Sequence, residues 1–242
     1  METQLHVRGR IPTLQAIEGR NQSGRLDRFL PRVGGWIREK RLRLAVYAVG
    51  WFPLTLLLRD FYAGNLTVNP IQALTQRLGK YALYFLVLSL ACTPFNTLFK
   101  FRQALTIRRT LGLFAFMYAS LHFLTFVGLD YTFNLRMLKG AIFEKPFVLV
   151  GLGALTILVL MAITSFRWWM KLLGKNWKRL HRLVYLAAGL VIVHYSWSIK
   201  GNVLRLQGDV VRPLVFSIVV AFLLVLRIPL VRRWVSSIRG KQ

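Results

Sequence analysis

From residue 44 to residue 231 the chain alternates long apolar runs, almost free of charge, with short polar segments rich in Lys and Arg. A bilayer's hydrocarbon core asks for about 20 apolar residues per helical crossing, and the runs approach that length. Six spans are expected, at about 44–58, 81–99, 110–129, 146–166, from the basic segment 175–182 to about 199, and 213–231. The first is short, so its flanking Arg41, Arg43 and Arg59 are expected to snorkel to the headgroups. Asn69-Pro70 reads as a turn before a short amphipathic stretch, 71–80, that leads into the second span. Trp168, Trp169, Trp177, Trp197 and Trp234 fall near span ends, where an indole sits well at headgroup level. The fold class expected is therefore all-α, an integral membrane bundle of six transmembrane helices. No internal repeat, phosphate-binding glycine loop or low-complexity tract is evident in the sequence.

Composition supports lipid as the solvent, since 55% of the 242 residues are hydrophobic. A net charge of +26 would suggest nucleic acid if it were clustered on one face. Here the basic residues crowd instead into alternate loops, which is the orientation signal of a membrane protein, and a nucleic-acid partner is excluded on that ground. The crowded set comprises 1–43, 100–109, 167–182 and 227–241, so both termini are expected in the cytoplasm. Residues 1–40 read as a basic, mostly disordered cytoplasmic tail, 41–233 as the transmembrane domain and 234–242 as a cytoplasmic C-terminal tail. The single cysteine, Cys92, lies within an apolar run and permits neither an intramolecular disulfide nor a cysteine-based metal site.

Chemistry is concentrated in the histidines. His6 lies in the tail, whereas His122 and His194 lie inside apolar runs, where an ionisable side chain is costly and marks function. His122 is thirteen residues beyond Arg109 and His194 twelve beyond Arg182, which places both about 18 to 20 Å from the basic end of their helices. The third and fifth helices run in the same direction, so two imidazoles at one depth can face each other and grip a flat macrocycle. Two neutral nitrogen donors suit the axial positions of haem iron. A zinc or di-iron carboxylate centre lacks ligands. Haem b is favoured because no Cys-x-x-Cys-His attachment is present. The bland reading is that each histidine makes an interhelical hydrogen bond. His181 precedes His194 by thirteen residues and could serve a second haem or another cofactor, or simply sit at the headgroups of a basic loop.

Arg108-Arg109-Thr110-Leu111-Gly112-Leu113, Leu121-His122, Leu173-Gly174-Lys175-x-Trp177, Leu180-His181-Arg182-Leu183-Val184-Tyr185 and His194-Tyr195-x-Trp197 together resemble one family. It is the haem-binding membrane subunit of the bacterial periplasmic protein-methionine-sulfoxide reductase system, within the ferric-reductase-like transmembrane group. Asn69-Pro70 and Leu74-Thr75-x-x-x-Gly79 fit as well, and the likeness covers about residues 40–200. The resemblance implies a b-type cytochrome of the bacterial inner membrane that also binds FMN and draws electrons from the quinone pool. It implies as partner a periplasmic molybdopterin-dependent catalytic subunit that reduces methionine sulfoxide. The family's three histidines fall on His122, His181 and His194; dihaem members of the wider group carry two on each ligand helix, and this chain lacks the inner one on the third. Arg77, Arg108 and Arg109 are candidates for haem propionates or the FMN phosphate, with membrane-end anchoring as the plain alternative.

Ferric reductases carry a flavin and nicotinamide domain after the last span, whereas this sequence reaches Gln242 soon after Val231 and holds no G-x-G-x-x-G motif. The chain is thus expected to be an electron-transfer subunit and not the catalyst. Two other readings remain open at this stage: a stand-alone ferric reductase, and a small transporter whose histidines bind a metal or relay protons.

Overall fold

The computed structural model describes residues 39–199, 201–202, 207–208, 211–228 and 231. The expectations for the N-terminal tail before residue 39, for Trp234 and for the C-terminal tail lie outside them. The chain divides into two compact units, Met1–Leu44 and Ala45–Gln242. Of the first, only residues 39–44 are described, in helix.

Nine helices are described: α1 (Glu39–Tyr62), α2 (Pro70–Phe99), α3 (Gln103–Thr125), α4 (Leu135–Glu144), α5 (Pro146–Ile163), α6 (Arg167–Leu173), α7 (Lys175–Leu180), α8 (Leu183–Ser198) and α9 (Val211–Val225). A single π-helical turn, Phe126–Asp130, prolongs α3. Between α8 and α9 the strands Gly201–Asn202 and Gln207–Gly208 pair antiparallel. By length and composition α1, α2, α3 with its π turn, and α5 can cross a membrane. Helices α8 and α9, at 16 and 15 residues, are shorter. They rise about 24 and 23 Å, against about 30 Å of hydrocarbon.

Local chemistry sets several boundaries. Asn69 accepts from the Gln72 amide and Pro70 occupies the first turn, so α2 starts there and runs unbroken. The amphipathic stretch 71–80 is therefore not a separate element, because its hydrogen-bond ladder continues into the second span. Asn134 likewise caps α4 through the amides of Arg136 and Met137. Helix α4 was not expected: at 10 residues it is too short to register as an apolar run. The fifth span is not one helix from residue 175. Gly174, at φ +49°, separates α6 from α7, and a turn at His181 and Arg182 separates α7 from α8. Reckoning His181 and His194 along one straight helix consequently fails.

Helix α2 packs along α3, and α5 along α8. Among the described residues Tyr118 of α3 is the largest fully buried side chain. Its ring stacks on Phe85 at 5.3 Å, and its hydroxyl donates to the Gly50 carbonyl of α1 at 2.7 Å. Gly50 lies directly against the Phe114 ring, and a side chain there would collide with it. Outward positions are apolar instead of polar: Ile218 and Phe222 of α9 are each 60% exposed. Only 11% of the apolar window of α1 and 17% of that of α5 is buried. A soluble protein does not leave such surface to water, whereas lipid tails accept it without cost.

Candidate functional site

His122 on α3 and His194 on α8 face one another with ring centres 6.1 Å apart and planes at 79°. Each is held from behind in the same way. His122 Nδ1 lies 2.8 Å from the Thr75 carbonyl of α2, and His194 Nδ1 lies 2.7 Å from the Phe147 carbonyl of α5. A carbonyl can only accept, so Nδ1 carries the proton in both neutral rings and Nε2 keeps its lone pair. Fixing the tautomer through the second ring nitrogen is how metal-ligating histidines are commonly oriented.

Glycine makes the approach possible. Gly79 stands one turn beyond Thr75, and a Cβ there would lie 3.2 Å from His122 Nδ1. Gly151 stands one turn beyond Phe147, and a Cβ there would lie 2.7 Å from His194 Nδ1. In both half-sites the histidine follows its carbonyl by 47 residues. The expectation of no internal repeat is corrected in this respect: α2 with α3 and α5 with α8 build two equivalent half-sites. The repetition is geometric, carried by one histidine, one glycine and one backbone carbonyl per pair, and the sequence hides it. Gly151 and Phe147 were missed for that reason; an x₃-Gly spacing repeated ahead of two histidines was the available signal.

Two opposed imidazoles are a poor site for a bare ion. Among the described residues no group of three or more His, Cys, Asp or Glu side chains could hold a metal. A macrocycle that brings its own equatorial nitrogens needs only two axial donors. With a metal–imidazole bond of about 2.0–2.1 Å and a ring centre about 1.1 Å behind the nitrogen, imidazoles opposed across one metal have centres about 6.2–6.4 Å apart. The observed 6.1 Å agrees. The residues fit an axially ligated haem.

His181 stands apart from this pair in its contacts. It lies at the turn between α7 and α8, with Trp177 packed on it at 4.2 Å and its Nε2 at 3.3 Å from Thr164 Oγ1. Trp177 Nε1 donates to the Thr164 carbonyl, which ties the turn to the end of α5. Since the Thr164 hydroxyl donates to the Leu160 carbonyl at 2.7 Å, it accepts from His181. Burial, and then the cations of Arg108 and Arg109, push the His181 imidazole below its usual range.

The three arginine candidates are not gathered at one place. Arg77 is 3.2 Å from Asp60 in an ion pair that also includes Arg59. Arg108 donates to Thr93 Oγ1 at 3.1 Å. Arg109 is exposed.

Comparison with known proteins bears on these residues. Residues 78–192 match the family described as ferric reductase like transmembrane component. The protein-methionine-sulfoxide reductase heme-binding subunit MsrQ of Rhodospirillum rubrum is 40% identical over 198 residues, which is 81% of this chain and 92% of that one. The corresponding subunit of Herminiimonas arsenicoxydans is 42% identical over 68% of this chain and 73% of its own. That of Bordetella pertussis is 35% identical over 76% and 87%. The several apolar helices, the transmembrane family match and these relatives make the chain a multi-pass membrane protein. With that extent of identity and coverage, the chain belongs to the family of protein-methionine-sulfoxide reductase heme-binding subunits, MsrQ.

Proposed function

We propose that this chain is a b-type cytochrome subunit, with His122 and His194 as the two axial haem ligands. It takes electrons from the quinone pool and hands them, with FMN as a further carrier, to a periplasmic molybdopterin-dependent methionine sulfoxide reductase. The observation that carries the reading is the pair of imidazoles 6.1 Å apart, each fixed by a backbone carbonyl in the tautomer that frees Nε2. Haem, when bound, supplies a one-electron couple inside the bilayer. The protein's part is to present two neutral donors, to hold them through Thr75 and Phe147, and to exclude water with apolar walls. The names of the relatives, each a heme-binding subunit of a protein-methionine-sulfoxide reductase, support both cofactor and partner.

The arrangement proposed in the membrane has six spans, with α8 and α9 completing the set. Loops rich in Lys and Arg favour a cytoplasmic location for both termini and insertion in the bacterial inner membrane. Shortness of α8 and α9 is met by local thinning or by the flanking segments, a modest cost per ångström. His181, with Trp177 and Thr164, is placed by the same reading at the cytoplasmic end, away from the His122–His194 pair.

The deciding experiment is optical. Purified protein is expected to show the sharp reduced bands of a six-coordinate b-type haem, and His122→Ala or His194→Ala abolishes them. Full haem content in both variants rejects the ligand pair. A colourless wild-type protein, after expression with haem available, rejects the cytochrome reading and returns the transporter.

A further inference from the structure

Lys145 directly precedes α5, two residues before the Phe147 whose carbonyl holds His194 and six before Gly151. It therefore stands about one helical turn beyond the level of that imidazole, on the side away from His181. Its Nζ donates to the Tyr131 hydroxyl at 3.1 Å and lies 5.9 Å from the centre of the Tyr131 ring. Tyr131 follows the π turn that prolongs α3, and its ring packs at 4.9 Å on Phe126, whose amide donates to the His122 carbonyl. A short chain of contacts thus joins the two half-sites at one end of the bundle.

The backbone that delivers Tyr131 is strained. Helix α3 finishes in a π turn, a feature that recurs at functional sites. Thr132 at φ +45° and Phe133 at φ +56° follow in the left-handed region, which a β-branched residue rarely enters. Strain of this kind persists where a site or a ligand clamp needs the geometry it gives. Amides of Phe133 and Asn134, bonded to the Val127 and Tyr131 carbonyls, hold the turn.

Because Tyr131 accepts from Lys145, its own proton remains to be donated, and the ammonium keeps two more. Asp130 is near enough to feel the Lys145 charge, but among the described residues no ion pair includes Lys145. These donors suit a carboxylate, and a haem carries two on one edge of its ring. Residues 81–99, 110–129, 146–166 and 183–199, in the helices around the histidine pair, hold no Asp, Glu, Lys or Arg. Carboxylates turned toward His181 would be stripped of water among apolar side chains with no cation to meet them. We propose that Tyr131 and Lys145 clamp a haem propionate, which fixes the rotation of the ring about the axis joining the two imidazoles. The clamp rests on the haem reading above and adds two binding residues to it.

The test titrates the full-length apoprotein with haem b and with its dimethyl ester, which keeps iron and ring but has no charged carboxylate. Wild type is expected to prefer haem by about 10-fold or more, and Lys145→Gln to cut that preference by about 10-fold. Tyr131→Phe cuts it by about 3-fold or more. The ester binds wild type and both variants alike, with six-coordinate spectra, as a misfolded variant would not. Equal affinity of the wild type for haem and ester, or an undiminished preference in Lys145→Gln, overturns the clamp and leaves both side chains as headgroup anchors. A preference lost in Lys80→Gln and kept in Lys145→Gln moves the carboxylates to α2 and overturns it as well. Failure of the wild type to bind either porphyrin rejects the cytochrome reading itself, and the clamp with it.

Discussion

Gly151 of α5 presents bare backbone to the His194 imidazole, and a Cβ added there would stand 2.7 Å from the ring's Nδ1 and Cε1. That separation is shorter than van der Waals contact allows, so alanine at 151 must drive the ring off the Phe147 carbonyl. Gly151→Ala is expected to weaken haem retention by about 10- to 100-fold, the range seen when an outer partner of a metal ligand is lost. Gly79→Ala, where the nearest approach is 3.2 Å, is expected to cost less. Haem titration of the two apoproteins checks the order, and equal retention by both variants and the wild type would show that glycine is not what seats the rings.

His181→Ala is expected to keep the reduced haem spectrum that His122→Ala and His194→Ala abolish, because His181 contacts Thr164 and Trp177 and not the opposed pair. A loss equal to that of the other two variants would make His181 a ligand. Haem-to-protein ratio on the three purified variants is the measurement.

A pH dependence follows from the same residue. The folded-state pKa of His181 is lowered by burial and by Arg108 and Arg109, so the unfolded chain binds the proton first as pH falls. Stability from this group is full above the unfolded value of about 6.5 and declines as pH drops through that value toward the folded one. Thermal midpoints measured from pH 8 to pH 5 should fall on the acid side, and His181→Gln should flatten that slope. Trp177 fluorescence should report the same titration, since the indole lies 4.2 Å from the imidazole. An unchanged slope in the variant would remove His181 as its source.

Tyr118→Phe deletes the hydroxyl that donates to the Gly50 carbonyl and leaves the stacked ring in place. The expected loss is about 0.5–1.5 kcal/mol of stability. Gly50→Ala should cost more, because the Phe114 ring occupies the space a methyl group needs. Thermal unfolding at constant haem content separates the two, and a Tyr118→Phe midpoint equal to wild type would show that the α1 to α3 bond contributes nothing net.

The apolar runs and the loops rich in Lys and Arg were sufficient to find a helical membrane protein and most span positions, because transfer of a helix into lipid depends on composition over about 20 residues and hardly on neighbours. The pairing of His122 with His194 was also legible, since depth along a helix is set by a fixed rise per residue and both were counted from a basic end. Helix breaks were not legible. The turn at His181 and Arg182 has neither proline nor glycine, and the polar stretch 71–80 looked like a separate element until its backbone ladder proved continuous with α2. Nor could sequence show what lies behind the rings. The Thr75 and Phe147 carbonyls are backbone atoms that every residue possesses, and only helix packing selects which two meet an imidazole. The meeting of Arg108 with Arg227 on Thr93 belongs to the same class: two side chains distant in the sequence reach one hydroxyl oxygen of α2. Composition fixes the solvent and the depth of a side chain, while its partners are a property of how the helices are rotated against one another.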